Sequence, residues 1–366
     1  MVMEKSVIDY FTVLEDPRKW RNVQHLLEDI MVISIIAVIC GAEGWEEIED
    51  FARSKEKFFK SILKLPHGIP SHDTIRRVFA LIEPESFEQC FKLWTNSLVK
   101  EQKGVVAFDG KTLRGSHDRS KGKSPIHMVS AWSSANGIVL GQLAVGDKSN
   151  EITAIPNLIK LLDLDGLIVT IDAMGTQTKI ADSIKGKGAD YILALKGNQG
   201  YLNELVESGF QTRKADLYYE TIEKDHGRIE IRKCYVMNQI KWMDEEIDRW
   251  RDLKSIIKIE SIREIQNKKA EETRYYISSL NDNAELINNS IREHWGIENK
   301  LHWSLDVTFR EDESRKRAGK TAKNFTIVRR IALNLLRTCD DLKISIKRKR
   351  LRAGWDEEYL RSILKI

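Results

Sequence analysis

Two short apolar runs, LIVTID (Leu167 to Asp172) and DYILAL (Asp190 to Leu195), flank the helix-patterned stretch KIADSIKGKG. Runs of this length bounded by turn residues read as buried strands, and the segment between them completes a strand–helix–strand unit. A chain holding such a unit is committed to a sheet with helices packed on it. The same grammar begins at Gly104: VVAFDG is another short apolar run, and HMVSAWSSANGIVLGQLAV is two β-rich runs around Asn136-Gly137, a hairpin signal. The expected fold class is α/β, a mixed sheet with flanking helices, opened by a hairpin. Asn198 is the expected cap of a further helix through LNELVESGF.

On either side of this region the periodicity differs. From Asn22 to about Lys100, apolar residues recur at spacings of three and four, so residues 1–100 are expected to form a helical N-terminal domain. Within it, GIPSHDTIRRVF places Ser71 as an N-cap before a short helix carrying Arg76 and Arg77. A tight turn before a helix with arginines on one face resembles the second half of a helix-turn-helix; plain packing of a capped amphipathic helix is the other reading. Residues 101–215 are expected to hold the first part of the sheet domain. The alternating runs DLYYETI, RIEIRKCYVM, SIIKIESI and TRYYISS read as a β-rich insertion over 216–280, with a turn at His226-Gly227. Helical pattern returns over 281–345, and a basic tail is expected from 346 to 366.

At roughly 150 residues per domain, 366 residues predict two or three domains. With 42% hydrophobic and 31% charged residues and only 6 prolines, disordered and collagen-like chains are excluded. The longest apolar stretch, Ile30 to Ala42, is short of the roughly 20 residues a bilayer requires, so no membrane span or signal peptide is expected. Cys40, Cys90, Cys234 and Cys339 form no CxxC pair and read as core residues of a protein in a reducing compartment, the cytoplasm. Net charge is only +4, yet Arg310 to Arg352 holds 15 Lys and Arg against 5 Asp and Glu, about +10, leaving about −6 elsewhere. That basic end is a candidate for contact with nucleic-acid phosphates, a solvated helix face being the alternative. No GxGxxG or P-loop follows a strand, which excludes a nucleotide-binding α/β enzyme.

Asp109 ends the first strand of the α/β region and Asp172 ends a later one. Strand ends are where such sheets present functional groups, and a hard cation such as Mg²⁺ is satisfied by two or three carboxylates from different elements. Each aspartate also has a plain reading: Asp109 as a turn residue of Asp-Gly, Asp172 as an acid at a helix start. A third element is REHWGIENKLHWSLDVTFREDESR, where two tryptophans, two histidines and six carboxylates crowd one helix-prone stretch. On an unbroken helix His294, Glu298 and His302 would share one face, a possible His-Glu-His metal site, although Gly296 weakens that helix. In the plain reading Trp295 and Trp303 are core anchors and the histidines partner nearby carboxylates.

The segments VVAFDGKTLRGS, DKSNEITAIPNLI, LIVTIDAMGTQTKIADSIKGKGADYILALKGNQ and IREHWGIENKLHWSLDVTFREDESR, in this order, resemble the transposases of the ISAs1 insertion-sequence group, which includes the H-repeat-associated proteins, within the IS4-like DDE transposases. The resemblance runs from about Val7 to the C-terminus. It implies an RNase H-like catalytic domain in which Asp109 (FDGKT), Asp172 (TIDAMG) and Glu298 (HWGIEN) hold divalent metal, Mg²⁺ with Mn²⁺ as a substitute. It further implies a β-rich insertion ahead of the helix bearing the glutamate and an N-terminal helical domain that binds transposon ends. The implied activity is metal-dependent hydrolysis at the ends and strand transfer into target DNA, performed by a homodimer on double-stranded DNA carrying terminal inverted repeats.

One departure stands out. Related IS4-type enzymes carry a Tyr, an Arg and a Lys around the glutamate, where this chain has Ile291, His294 and Leu305. Arg292, His294, Lys300 and His302 are the substitutes at hand for phosphate contacts, and Glu293 or Asp306 remain alternatives for the third acid. Arg76, Arg77, Lys111, Arg114, Lys196, Arg292 and His302 are the expected DNA-contacting residues, with Trp295 a candidate for stacking on an unstacked base.

Overall fold

Helix α1 (Leu27–Ile39) has no wet face: of its residues only Glu28 lies outside the buried set. A helix that is apolar all round belongs inside a core. Around it pack the more amphipathic α2 (Trp45–Ser54), α3 (Glu56–Ile62), α4 (His72–Leu81) and α5 (Pro84–Leu98). The one carboxylate within α1's buried wall, Asp29, is satisfied by the Leu65 N–H at 3.0 Å. Ser71 caps α4 by accepting from the Thr74 N–H at 3.4 Å, and Arg76 and Arg77 are exposed while Ile75, Val78 and Phe79 are buried. The computed structural model describes residues 6–19, 23–118, 122, 124–146, 150–225, 227–266, 268–281, 283–339 and 343–366.

The middle of the chain supplies β1 (Val105–Leu113), β2 (Ile126–Ser133), β3 (Ile138–Ala144), α6 (Glu151–Leu161), β4 (Ile168–Ile171), α7 (Thr178–Lys185), β5 (Asp190–Leu195) and α8 (Gly200–Thr212). β1, β2 and β3 form an antiparallel meander, and β4 and β5 run parallel to β1. The hairpin turns at Gly137, whose φ of +65° suits glycine. The resulting order β3-β2-β1-β4-β5 is the RNase H-like mixed sheet. Asn198 does not cap α8. It lies in the preceding turn and donates to the Ala173 carbonyl at 2.5 Å, bracing the loop that follows Asp172.

β6 (Leu217–Asp225), β7 (Arg228–Met237), helix α9 (Glu245–Arg249), β8 (Ser255–Ile265) and β9 (Lys268–Ser278) follow. These strands do not form a separate barrel or sandwich. β9 pairs antiparallel with β5 from Ile192↔Ser278 to Leu195↔Tyr275, so all nine strands belong to one sheet. The reason is the edge that β5 would otherwise expose. The β6–β7 turn falls where expected, although His226 is outside the described residues.

Helix α10 (Ala284–Gly296) leads into π-helical turns at Ile297–His302 and Ser304–Thr308, followed by α11 (Thr321–Thr338), α12 (Ile346–Trp355) and α13 (Glu357–Leu364). The outer edge of the sheet, β3, is covered by α11: Asn334 accepts from the Val139 N–H and donates to the Val139 carbonyl, both at 2.9 Å. The segment expected as a basic tail is these last two helices, with Ala353, Tyr359, Leu360, Ile363 and Leu364 in the same core as α1. Much of the basic end is likewise internal. Arg330 pairs with Glu311 at 2.9 Å, Arg350 with Glu43 at 2.7 Å, and Lys349 donates to the Leu336 carbonyl at 2.9 Å. Cys90, Cys234 and Cys339 are buried and Cys40 half-buried, all as free thiols.

Glu88, on α5, accepts from the Gln142 N–H of β3 at 2.9 Å, where the helical domain meets the sheet. Burial pushes its carboxyl up to about 7. A carboxyl raised in the folded state favours folding below its unfolded value, and that advantage is lost as pH climbs through the folded one. At about 1.4 kcal/mol per pH unit, wild type should lose on the order of 3 kcal/mol relative to Glu88→Gln between about pH 4.5 and 7. Parallel urea denaturation of the two proteins across that window checks this; a pH-independent difference would refute it.

Candidate active site

The register of two neighbouring parallel strands sets the geometry. Phe108 of β1 is the partner of Ile171 of β4, so the next residues, Asp109 and Asp172, come side by side where β4 stops; Asp109 does not end its strand as expected, because β1 runs on to Leu113 paired with β2. Parallel strands lie about 4.8 Å apart. β4 stops at Ile171, and Asp172 starts a short 3-10 turn, accepting the Gly175 N–H at 3.2 Å, while Asp109 accepts from the Gly110 N–H at 2.9 Å. Side-chain alternation then directs Asp109, Lys111 and Thr170 to the face covered by α10 and its π-helical extension.

Glu298, the acid expected as the third, lies on that extension. The helix does not break at Gly296; it widens into i→i+5 turns, a form found often at functional sites. Widening separates the residues that an α-helix would stack. His294 turns to β4, with Nδ1 3.0 Å from Thr170 Oγ1, and His302 turns to β1, with Nδ1 3.4 Å from Asp109 Oδ2. Burial holds both imidazoles down at about 4, so both are neutral at pH 7. The His-Glu-His arrangement is therefore not assembled, whereas the Glu298 charge acts directly on Asp109.

Burial, then the like charges of Asp172, Glu298 and Glu151, push the Asp109 carboxyl up to about 7. Asp172 is raised by burial and by Glu151, with Lys196 opposing. Glu151, the first residue of α6, was given no role by the sequence reading: an acid at a helix start is too common to single out. Among the described residues no three His, Cys, Asp or Glu side chains already converge as a closed ligand set. Carboxylates gathered with so little opposing charge repel one another, and Mg²⁺ needs only one or two of them directly, the rest of its shell being water and phosphate. The donor set, all hard oxygen and short of positive charge, fits such a cation.

The other expected residues divide into two groups. Arg76, Arg77 and Lys196 are exposed, as is the Arg114 guanidinium, 3.4 Å from Asp312. Arg76 also lines a cleft of about 350 Å³ with Arg315 and Arg317. Lys111, by contrast, is buried between Asp306 and Asp312 at 2.7 Å each, so it fastens β1 to the π-helical segment and is not presented to a ligand. Arg292 is held by Glu223 and Glu230 of the β6–β7 hairpin. Ile291 and Leu305 are core residues. Asp306 is engaged by Lys111. Trp295 lies under the Arg274 guanidinium at 4.5 Å, while Trp303 is 58% exposed and no core anchor.

Comparison with known proteins bears on this arrangement. The family profile described as "Transposase DDE domain" matches residues 100–335, and one described as "DDE_Tnp_1-associated" matches residues 8–95. The chain is 43% identical to "H repeat-associated putative transposase YhhI" of Escherichia coli (strain K12), over 98% of both chains. It is also 43% identical to "Putative transposase YncI" of Escherichia coli O157:H7, covering 98% of this chain and 94% of that one. Among solved structures, a piggyBac transposase synaptic complex with hairpin DNA aligns with 98% of this chain and 80% of its own at a TM-score of 0.47 and 11% identity.

Proposed function

Because the chain belongs to the DDE-domain transposase family, we propose that it is the transposase of an ISAs1-type insertion sequence, which hydrolyses the ends of its element and joins them to target DNA in the bacterial cytoplasm. The observation that carries this reading is that Asp109, inside β1, and Asp172, just past the end of the neighbouring parallel strand β4, lie side by side, with the charge of Glu298 acting on Asp109. Asp109, Asp172 and Glu298 would hold Mg²⁺, or Mn²⁺ in its place. When bound, the metal supplies stabilisation of the charge on the attacking and leaving oxygens of an in-line displacement at phosphorus.

The chain's own groups do the remaining work. Asp109 and Asp172 keep their carboxylates at a separation fixed by strand pairing, so little reorganisation is needed at the moment of reaction. Neutral His302 sits against Asp109 and limits how its carboxylate turns. Lys196, whose charge acts on Asp172, and the exposed Arg114 would contact phosphate oxygens flanking the scissile bond. Arg76 and Arg77 on α4 would track the DNA backbone of the element's end, and joining two ends requires two active sites, hence a homodimer on DNA. No helix among the described residues is long and apolar enough to cross a membrane.

The test is a strand-transfer assay with the full chain, Mg²⁺, a duplex bearing the element's terminal repeat and a supercoiled target plasmid. End-to-target products are expected. Cuts without joining would mean a nuclease, and DNA binding without cuts would mean an inert relic. For the α4 arginines, the double change Arg76→Ala, Arg77→Ala should make the slope of log K against log salt shallower by about 1.8, at about 0.9 per lost phosphate contact. A slope equal to wild type in fluorescence anisotropy titrations would remove α4 from the interface.

A further inference from the structure

Glu151 lies where an isolated helix-capping acid has no reason to be. Its carboxylate stands over Gly110, the residue that follows Asp109 in β1: a Cβ built on Gly110 would overlap Glu151 Oε1 and come within 2.5 Å of His127 Nε2. The backbone of Gly110 is not in the left-handed region. Its missing side chain is therefore explained by space, since a glycine inside a strand weakens it unless another group must approach closely. That group is Glu151.

Alternation along β1 puts Gly110 and Thr112 on the face opposite Asp109. Thr112 is the register partner of His127 on β2, and Thr112 Oγ1 is 2.9 Å from His127 Nδ1. With the hydroxyl donating to Nδ1, the ring proton sits on Nε2 and is donated to Glu151 Oε1. Thr112 and Glu151 thus hold the two ring nitrogens of one histidine, the kind of support that orients groups at metal centres. β4 ends at Ile171, so from Asp109 onward β1 has no paired strand on its β4 side. Both aspartates register the Glu151 charge.

We propose that Glu151 is a fourth acidic residue of the metal centre, reaching Asp109 and Asp172 from the α6 face over Gly110, and that His127 is its positioning residue. The proposal rests on the metal-dependent reading above. Its consequence is that cation affinity depends on both faces of the sheet: α10 and its extension bring Glu298, and α6 brings Glu151.

The test is Mn²⁺ titration by calorimetry of the full-length protein without DNA, with thermal melts in the absence and presence of Mn²⁺. Glu151→Gln keeps the volume and an acceptor for His127; it is expected to weaken Mn²⁺ binding about tenfold or more and to shrink the Mn²⁺-induced rise in Tm, with no fall of the metal-free Tm. His127→Gln, which leaves the carboxylate but loosens it, should weaken Mn²⁺ binding about tenfold, the usual effect of removing a supporting partner, and should still allow a Tm rise at higher Mn²⁺. Should Glu151→Gln misfold, His127→Gln carries the test alone. Wild-type Mn²⁺ affinity in the folded variants, alongside its loss in Asp109→Asn, would overturn the role of Glu151 while leaving the underlying reading intact. Wild-type affinity in Asp109→Asn as well would overturn the reading itself.

Discussion

Asp109→Asn is expected to lower the rate of end cleavage by on the order of 10³-fold or more, about 4 kcal/mol of transition-state stabilisation. Binding of end DNA and the circular dichroism spectrum should stay as in wild type. The physical basis is that asparagine keeps the shape of the side chain and an oxygen able to accept the Gly110 N–H, but removes the charge that helps hold a divalent cation. Loss of that charge also relieves the repulsion from Asp172, Glu298 and Glu151, so the metal-free protein should melt no lower than wild type. Asp172→Asn and Glu298→Gln should behave alike, because in the proposed function the three acids would act as one unit and each removal would disable the same step. Cleavage at wild-type rates by any of the three would exclude that residue from the chemistry.

Glu311→Gln is expected to destabilise the fold by about 3–5 kcal/mol. Glu311 and Arg330 form an ion pair at 2.9 Å with side chains 1% and 0% exposed. Burial works to raise the Glu311 carboxyl, but Arg330, Arg329 and Lys111 more than offset it and hold it below the usual range. A lowered carboxyl contributes stability above its unfolded value and loses it as pH falls through the folded one, so this pair weakens only in acid. Neutralising the glutamate strands the Arg330 guanidinium in the interior, which costs far more than the pair itself is worth. Replacing both partners with apolar residues, Glu311→Leu with Arg330→Met, should recover most of the loss. Chemical denaturation of the single and double variants decides this: a single change costing under about 1 kcal/mol would place the pair among weak surface bridges.

That pair also shows why charge was harder to read than strands. The basic end between Arg310 and Arg352 is indistinguishable in one dimension from a solvated DNA-contacting face, yet Arg329, Arg330, Lys349 and Arg350 are buried. The arginines' partners Glu43 and Glu311 come from an N-terminal loop and from a turn after the π-helical segment, and no local pattern announces such pairs. Lys111 is a similar case. It was expected among the DNA-contacting residues, and only the packing of the 306–312 segment onto β1 reveals it as a fastener.

Strands and helices were legible where burial on one or both sides imposes a period on the chain. LIVTID, DYILAL and the Asn136-Gly137 hairpin carried that imprint, as did α1, and each forms the expected element. Asp172 does follow the end of β4, whereas Asp109, read as the end of its apolar run, lies inside β1, which continues to Leu113 because β2 pairs with it that far. What the period cannot encode is which strand lies next to which: the β-rich insertion read as a body of its own joins the same sheet, through pairing of β5 with β9.

The amino-acid sequence by itself determined the element types, the family and the two aspartates that follow apolar runs, since these depend on local periodicity and on short motifs a linear reading can see. Only the tertiary structure decided that the helix after Gly296 widens to send His302 and Glu298 toward Asp109 and His294 away from it. It alone also decided that Glu151 reaches over Gly110 from the opposite face. Those facts are set by contacts between residues far apart in the chain, whose energies depend on distance in space and leave no spacing in the sequence.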